Sequence, residues 1–114
     1  MPTREQVRAQ CAYSRVSIHK GQAYEAKYQG FAKRFPALLQ TCGLAQALAF
    51  AEAKKQTAYL EDLATVIGAC NTASLTENAR QNELSSYQKL SRDAMSAATW
   101  LKRYAEALLE GDGQ

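Results

Sequence analysis

Residues 44–55 read Leu44-Ala-Gln-Ala-Leu-Ala-Phe-Ala-Glu-Ala-Lys-Lys55, and two periods compete in them. Ala45, Ala47, Ala49, Ala51 and Ala53 alternate with other residues, as they would in a half-buried strand. Alanine is nevertheless a poor strand former and the best helix former, so propensity overrides the alternation and the stretch is read as a helix. An alanine coat lets a neighbour approach closely, and Leu44, Leu48 and Phe50 are expected to supply the bulk. The same reading extends to the rest of the chain. Beta-branched residues are sparse, Ala, Leu, Gln, Glu, Lys and Arg abound, and no Asn-Gly or Asp-Gly hairpin turn occurs. The expected fold class is all-α: a single compact bundle of about five to seven helices spanning residues 1–114.

Towards the N-terminus, Thr3 with Gln6 forms a capping box that starts a first helix. Val7, Cys11, Ser14 and Ile18 share one face at helical spacing, with Ala12 and Val16 beside it, and His19-Lys20-Gly21 reads as the stop. A second helix is expected from about Gln22 to Arg34, with Ala23, Tyr24, Lys27, Tyr28 and Phe31 as its aromatic face. Pro36 should end it, drive Phe35 out of helical geometry and open a short helix to Cys42. Gly43 suits the left-handed position that follows.

Towards the C-terminus, a helix over Thr57 to Ala69 should point Leu60, Leu63, Ala64 and Ile67 inward, with a loop at Asn71 to Ser74. Thr76 caps a further helix running to about Lys89, with Leu75 as a staple residue. A last helix from Ser91 carries the stripe Leu90, Ala94, Ala97, Ala98, Leu101, Ala105 and Leu108, widened by Trp100 and Tyr104. Gly111-Asp112-Gly113-Gln114 reads as a frayed tail.

Composition narrows the function. Hydrophobic residues at 46% and charged residues at 22% argue against disorder, and no apolar run approaches the roughly 18 residues of a membrane span. The polar stretch Met1 to Arg8 lacks a signal core, so a cytoplasmic protein is expected. Cys11, Cys42 and Cys70 are odd in number and widely spaced, so they are expected to be buried apolar residues, with neither a disulfide framework nor a metal site.

A nucleophilic site would need His19, the one histidine, and no acid lies near it in sequence to orient it; it is read as a helix-terminus cation. Glu61 and Asp62 point in different directions on one helix, while Glu77, Glu83 and Asp93 fall on faces read as exposed. No Gly-rich phosphate loop is present. The expectation is a protein that is not an enzyme and needs no cofactor.

The charge is more informative. Residues 1–55 hold nine Lys or Arg against three acids, and residues 56–114 hold five against eight. Such a split suits a front facing a polyanion, or copies that stack head to tail; it also arises from ordinary solvated faces. Lys27, Lys33, Arg34, Lys54, Lys55, Lys102 and Arg103, interleaved with Tyr24, Tyr28, Tyr59 and Tyr104, are the candidate phosphate contacts.

The stretch from Phe35-Pro36 to Lys54 carries a proline, an apolar pair, Gly43-Leu44, then Leu48-Ala-Phe50 and a lysine. Tyr87-Gln-Lys-Leu-Ser-Arg-Asp-Ala94 and Trp100-Leu-Lys-Arg-Tyr-Ala-Glu-Ala107 follow. Together, in this order and over nearly the whole chain, they resemble the small subunit of the type III-B (Cmr) CRISPR RNA-guided effector complex. Cys42 departs from the polar residue, often asparagine, that precedes the family's glycine.

The resemblance implies a non-catalytic subunit that stacks with copies of itself beside the backbone-subunit filament. Its implied partners are the other Cmr subunits, guide RNA and target RNA, with no membrane, cofactor or metal. Target cleavage would belong to the backbone subunit, and signalling and DNA cutting to the large one. The competing reading is a stand-alone helical nucleic-acid-binding module.

Overall fold

Five helices occupy the described residues, 4–68 and 84–109, of the computed structural model: α1 (Arg4–Ser17), α2 (Glu25–Cys42), α3 (Leu44–Ala53), α4 (Thr57–Ile67) and α5 (Leu84–Leu108). No strand occurs among the described residues. The expected loop at Asn71–Ser74, the Thr76 cap with its staple and the C-terminal tail lie outside them, as do the Thr3 cap and Cys70.

The alanine-rich stretch is helical throughout α3. Its inward face is Leu44, Ala47, Leu48 and Ala51, spaced for a helix and fully buried. Phe50 departs from expectation: it points away from that face and is 44% exposed.

α2 overturns the expected break at Pro36. It runs through the proline to Cys42, and Phe35 stays helical. An interior proline removes one backbone bond and costs about 3 kcal/mol. Tyr28, Phe31, Ala32, Phe35 and Leu39 bury a single stripe that continues on both sides of it. Each large side chain so buried returns about 1.5–3 kcal/mol, so the stripe outweighs the local penalty. Gly43 then joins α2 to α3 at φ 84° and ψ 166°, a conformation essentially reserved for glycine, though extended in ψ where the left-handed cap was expected. Its N–H donates to the Leu39 carbonyl at 2.9 Å, while its carbonyl accepts from the Ala47 N–H at 3.0 Å.

α1 faces the core differently from its sequence reading. Ala12 and Val16 are fully buried, and Arg8 and His19 are buried with them; Val7, Ser14 and Ile18 lie outside, with Cys11 half-buried. Of the expected inward row Val7, Cys11, Ser14 and Ile18, only Cys11 is half-buried; Arg8 and His19 go inward beside Ala12 and Val16, each with a partner across the core. Arg8 donates from Nη2 to Asp93 Oδ1 at 2.8 Å, tying α1 to α5, and Lys89 Nζ reaches Asp93 Oδ2 at 3.3 Å. Asp93 is therefore part-buried and paired, not on an exposed face.

α5 is continuous where two helices were expected to meet near Ser91, because no proline or glycine interrupts residues 84–108. Ala94, Ala97, Ala98, Leu101 and Ala105 are fully buried on it. The four alanines present little bulk to α2 and α1, the principal neighbours of α5. α3 and α4 complete one shared hydrophobic core. In α4, Leu60, Leu63 and Ala64 point inward as expected and Ile67 is half-buried, but Tyr59, Asp62 and Val66 are buried as well. Cys42 is exposed at the last position of α2, against the expectation of burial, because the stripe that faces the core there ends at Leu39.

Candidate nucleic-acid interface

The turn between α3 and α4 organises the charged surface. Lys54 follows α3, Lys55 adopts φ 58°, and Gln56 precedes α4 without using its side chain to cap that helix. A non-glycine residue with positive φ is uncommon, and here it reverses the chain so that Lys54, Lys55 and Gln56 meet the N-terminal half of α2.

Three concavities share Gln56. One, of about 450 Å³, is bounded by Lys27, Gly30, Lys33 and Arg34 of α2, with Gln29 at its base. A second, of about 400 Å³, lies among Tyr24, Lys27, Lys54, Lys55 and the start of α4. The third, of about 430 Å³, has an apolar lining of Phe31, Phe35, Leu38 and Phe50, with Arg34 and Lys54 at its edge. Helical spacing places Lys27, Lys33 and Arg34 on neighbouring faces of α2, and the turn supplies the other two cations.

Five of the seven expected phosphate contacts thus gather on one surface: Lys27, Lys33, Arg34, Lys54 and Lys55. Lys102 and Arg103 line none of these three concavities; Lys102 is half-buried on α5, and Arg103 lies 4.9 Å from the Trp100 ring centroid. Of the expected tyrosines, Tyr24 borders the second concavity and is 42% exposed, whereas Tyr59 is fully buried. Sequence reasoning does not single out Gln56, although it directly follows the Lys54-Lys55 pair.

Beneath this surface lies a buried polar cluster. Asp62 of α4 is fully buried and accepts three hydrogen bonds. Arg15 Nε donates to Oδ1 at 2.8 Å, His19 Nε2 donates to Oδ2 at 2.7 Å, and the Tyr28 hydroxyl also donates to Oδ2. In the neutral ring His19 Nδ1 is then an acceptor, and the Tyr24 hydroxyl donates to it at 2.7 Å. The acid that His19 lacks nearby in sequence is supplied from 43 positions away.

Burial, then the Asp62 charge, holds the Tyr28 hydroxyl protonated far above the ordinary range, and the same two causes raise Tyr59. Burial likewise pushes the Cys11 thiol up. At its centre His19 is 3% exposed and Asp62 fully buried, while Arg15 and Tyr24 reach the surface. What it does is fix positions: it ties the end of α1 to α2 and α4 and orients the Tyr24 ring at the rim of the cationic surface. No group of three or more metal-ligating side chains occurs among the described residues, and no helix there is long and apolar enough to cross a membrane.

Comparison with known proteins agrees with this architecture. A family model described as CRISPR-associated protein (Cas_Cmr5) matches residues 4–108. The CRISPR system Cmr subunit Cmr5 of Thermus thermophilus is 41% identical over 114 residues, covering 96% of this chain and 99% of that protein. The X-ray crystal structure of a CRISPR-associated Cmr5 family protein, also from Thermus thermophilus, superposes with a TM-score of 0.91 at 40% identity, covering 96% of this chain and 100% of the other. With the matched region reaching from the first turn of α1 to the last of α5, the chain belongs to the Cmr5 family of CRISPR-associated proteins.

Proposed function

We propose that this chain is a non-catalytic small subunit of a type III-B CRISPR ribonucleoprotein, stacking with copies of itself and lining the path of guide and target RNA. Family membership supports the assembly role. The observation that carries the RNA role is the convergence of Lys27, Lys33, Arg34, Lys54 and Lys55 around Gln56. Cations placed along continuous grooves neutralise successive backbone phosphates without reading sequence, which suits a subunit that must accept any guide. Lys102 and Arg103, on α5, are proposed as further phosphate contacts.

The test is target-RNA affinity of a reconstituted complex across a salt series. Lys54→Glu with Lys55→Glu should weaken binding by about tenfold or more and flatten the salt dependence by about 1.4, or about 0.7 for each lost single-strand phosphate contact. Unchanged affinity with an unchanged slope removes the RNA assignment of this face. Lys102→Ala with Arg103→Ala in the same series tests the α5 pair. The stand-alone reading predicts instead that the tagged chain purifies without other subunits or guide RNA.

A further inference from the structure

Resting on that RNA reading, we propose that the apolar concavity between α2 and α3 is a stacking subsite for one unpaired nucleobase of the bound strand. Phe50 is the key residue. It lies off the buried face of α3, formed by Leu44, Ala47, Leu48 and Ala51, so core packing does not require a large ring there. It is nonetheless a phenylalanine, 44% exposed, with its ring nearly parallel to that of Phe31 at 9° and a centroid separation of 6.4 Å. Phe35 and Leu38 extend the apolar wall, and Lys54 Nζ lies 5.5 Å from the Phe50 centroid.

The charge around the concavity selects the occupant. Its edge carries Arg34 and Lys54, both shared with the neighbouring cationic concavities, and Gln56 stands where all three meet. A strand whose phosphates follow Lys27, Lys33 and Lys55 passes this mouth, and Arg34 and Lys54 can hold the phosphates flanking a base turned into it. An unpaired nucleobase combines the required features: a flat π surface for the Phe50 ring, polar edges for the Gln56 amide, and a phosphate on each side for the rim. A duplex keeps its base faces stacked inside and cannot use the site. Gln56 immediately precedes α4 but its side chain makes no capping bond, so its amide is not committed to that helix.

The experiment compares three ligands on the full chain: a single-stranded RNA oligomer of about ten nucleotides, the same oligomer abasic at every position, and the matching duplex. Phe50→Leu, which stays apolar but lacks the ring, should weaken single-strand binding by about five- to tenfold. Abasic and duplex binding, and the salt slope, should not change. Phe50→Tyr, which keeps the ring, should retain the single-strand preference. Lys27→Ala with Lys33→Ala should weaken all three ligands and flatten the slope. A preference for single-stranded over abasic RNA that survives Phe50→Leu overturns the subsite while leaving the cationic face in place. If the lysine pair also changes nothing, the RNA reading beneath it falls. Weakened assembly with other Cmr subunits in Phe50→Leu, with the single-strand preference intact, gives the groove to a protein side chain and likewise overturns the proposal.

Discussion

Asp62 shows how much one residue can hold. A fully buried carboxylate is tolerated because Arg15, His19 and Tyr28 occupy its oxygens, and those partners come from α1, the turn after it and α2. Removing one partner of a buried ion pair leaves the rest desolvated without compensation. Asp62→Ala should therefore destabilise the chain by about 3–5 kcal/mol, read as a shift in the urea unfolding midpoint. A shift equivalent to less than about 1 kcal/mol would show the cluster to be dispensable. Gly43 works by conformation alone. At φ 84° and ψ 166° a β-branched side chain is strained, so Gly43→Val should cost about 1–3 kcal/mol in a thermal melt. An unshifted melt would contradict the requirement for glycine.

Among the helices, the pairing of α1 with α5 depends on pH. Burial acts to raise the Asp93 carboxyl, but hydrogen bonds from Arg8 and Lys89, aided by their charges, outweigh it and hold the group below the usual carboxylate range. A depressed folded-state pKa means that this stabilisation is fully present above the unfolded value, about 3.9, and is lost as pH falls from there through the folded value. Urea midpoints measured from about pH 6 down to about pH 2 should show a smaller acid-induced drop in Asp93→Asn than in the parent. Identical acid limbs would remove Asp93 from the account. The same scale explains why the break expected in α2 does not occur: the proline rule is local, whereas the stripe Phe31, Phe35, Leu39 becomes decisive only when α5 and the other helices cover it.

Across the whole molecule, the cationic face is a product of topology. Lys27 and Lys55 are distant in sequence, yet the α3–α4 turn folds back onto α2 and puts both beside Gln56. Because the two groups border one continuous surface, their contributions to the salt dependence should add. Combining the Lys27 and Lys33 substitutions with those at Lys54 and Lys55 should flatten the slope by about the sum of the two pairs' separate effects. A combined effect no larger than one pair would mean that they do not share one strand.

The sequence alone determined the all-helical class, the helical state of the alanine-rich stretch, the need for glycine at Gly43, the seven candidate cations and the family resemblance. These follow from local propensity, backbone sterics and residue order, which need no knowledge of distant neighbours. Tertiary structure alone decided that α2 passes through Pro36, that Val7 and Ile18 face outward and Phe50 with them, that Asp62 answers His19, and that Lys27, Lys33, Arg34, Lys54 and Lys55 converge around Gln56. Each of these depends on which helix covers which face, and periodicity within one helix leaves that choice open whenever two faces carry comparable apolar residues.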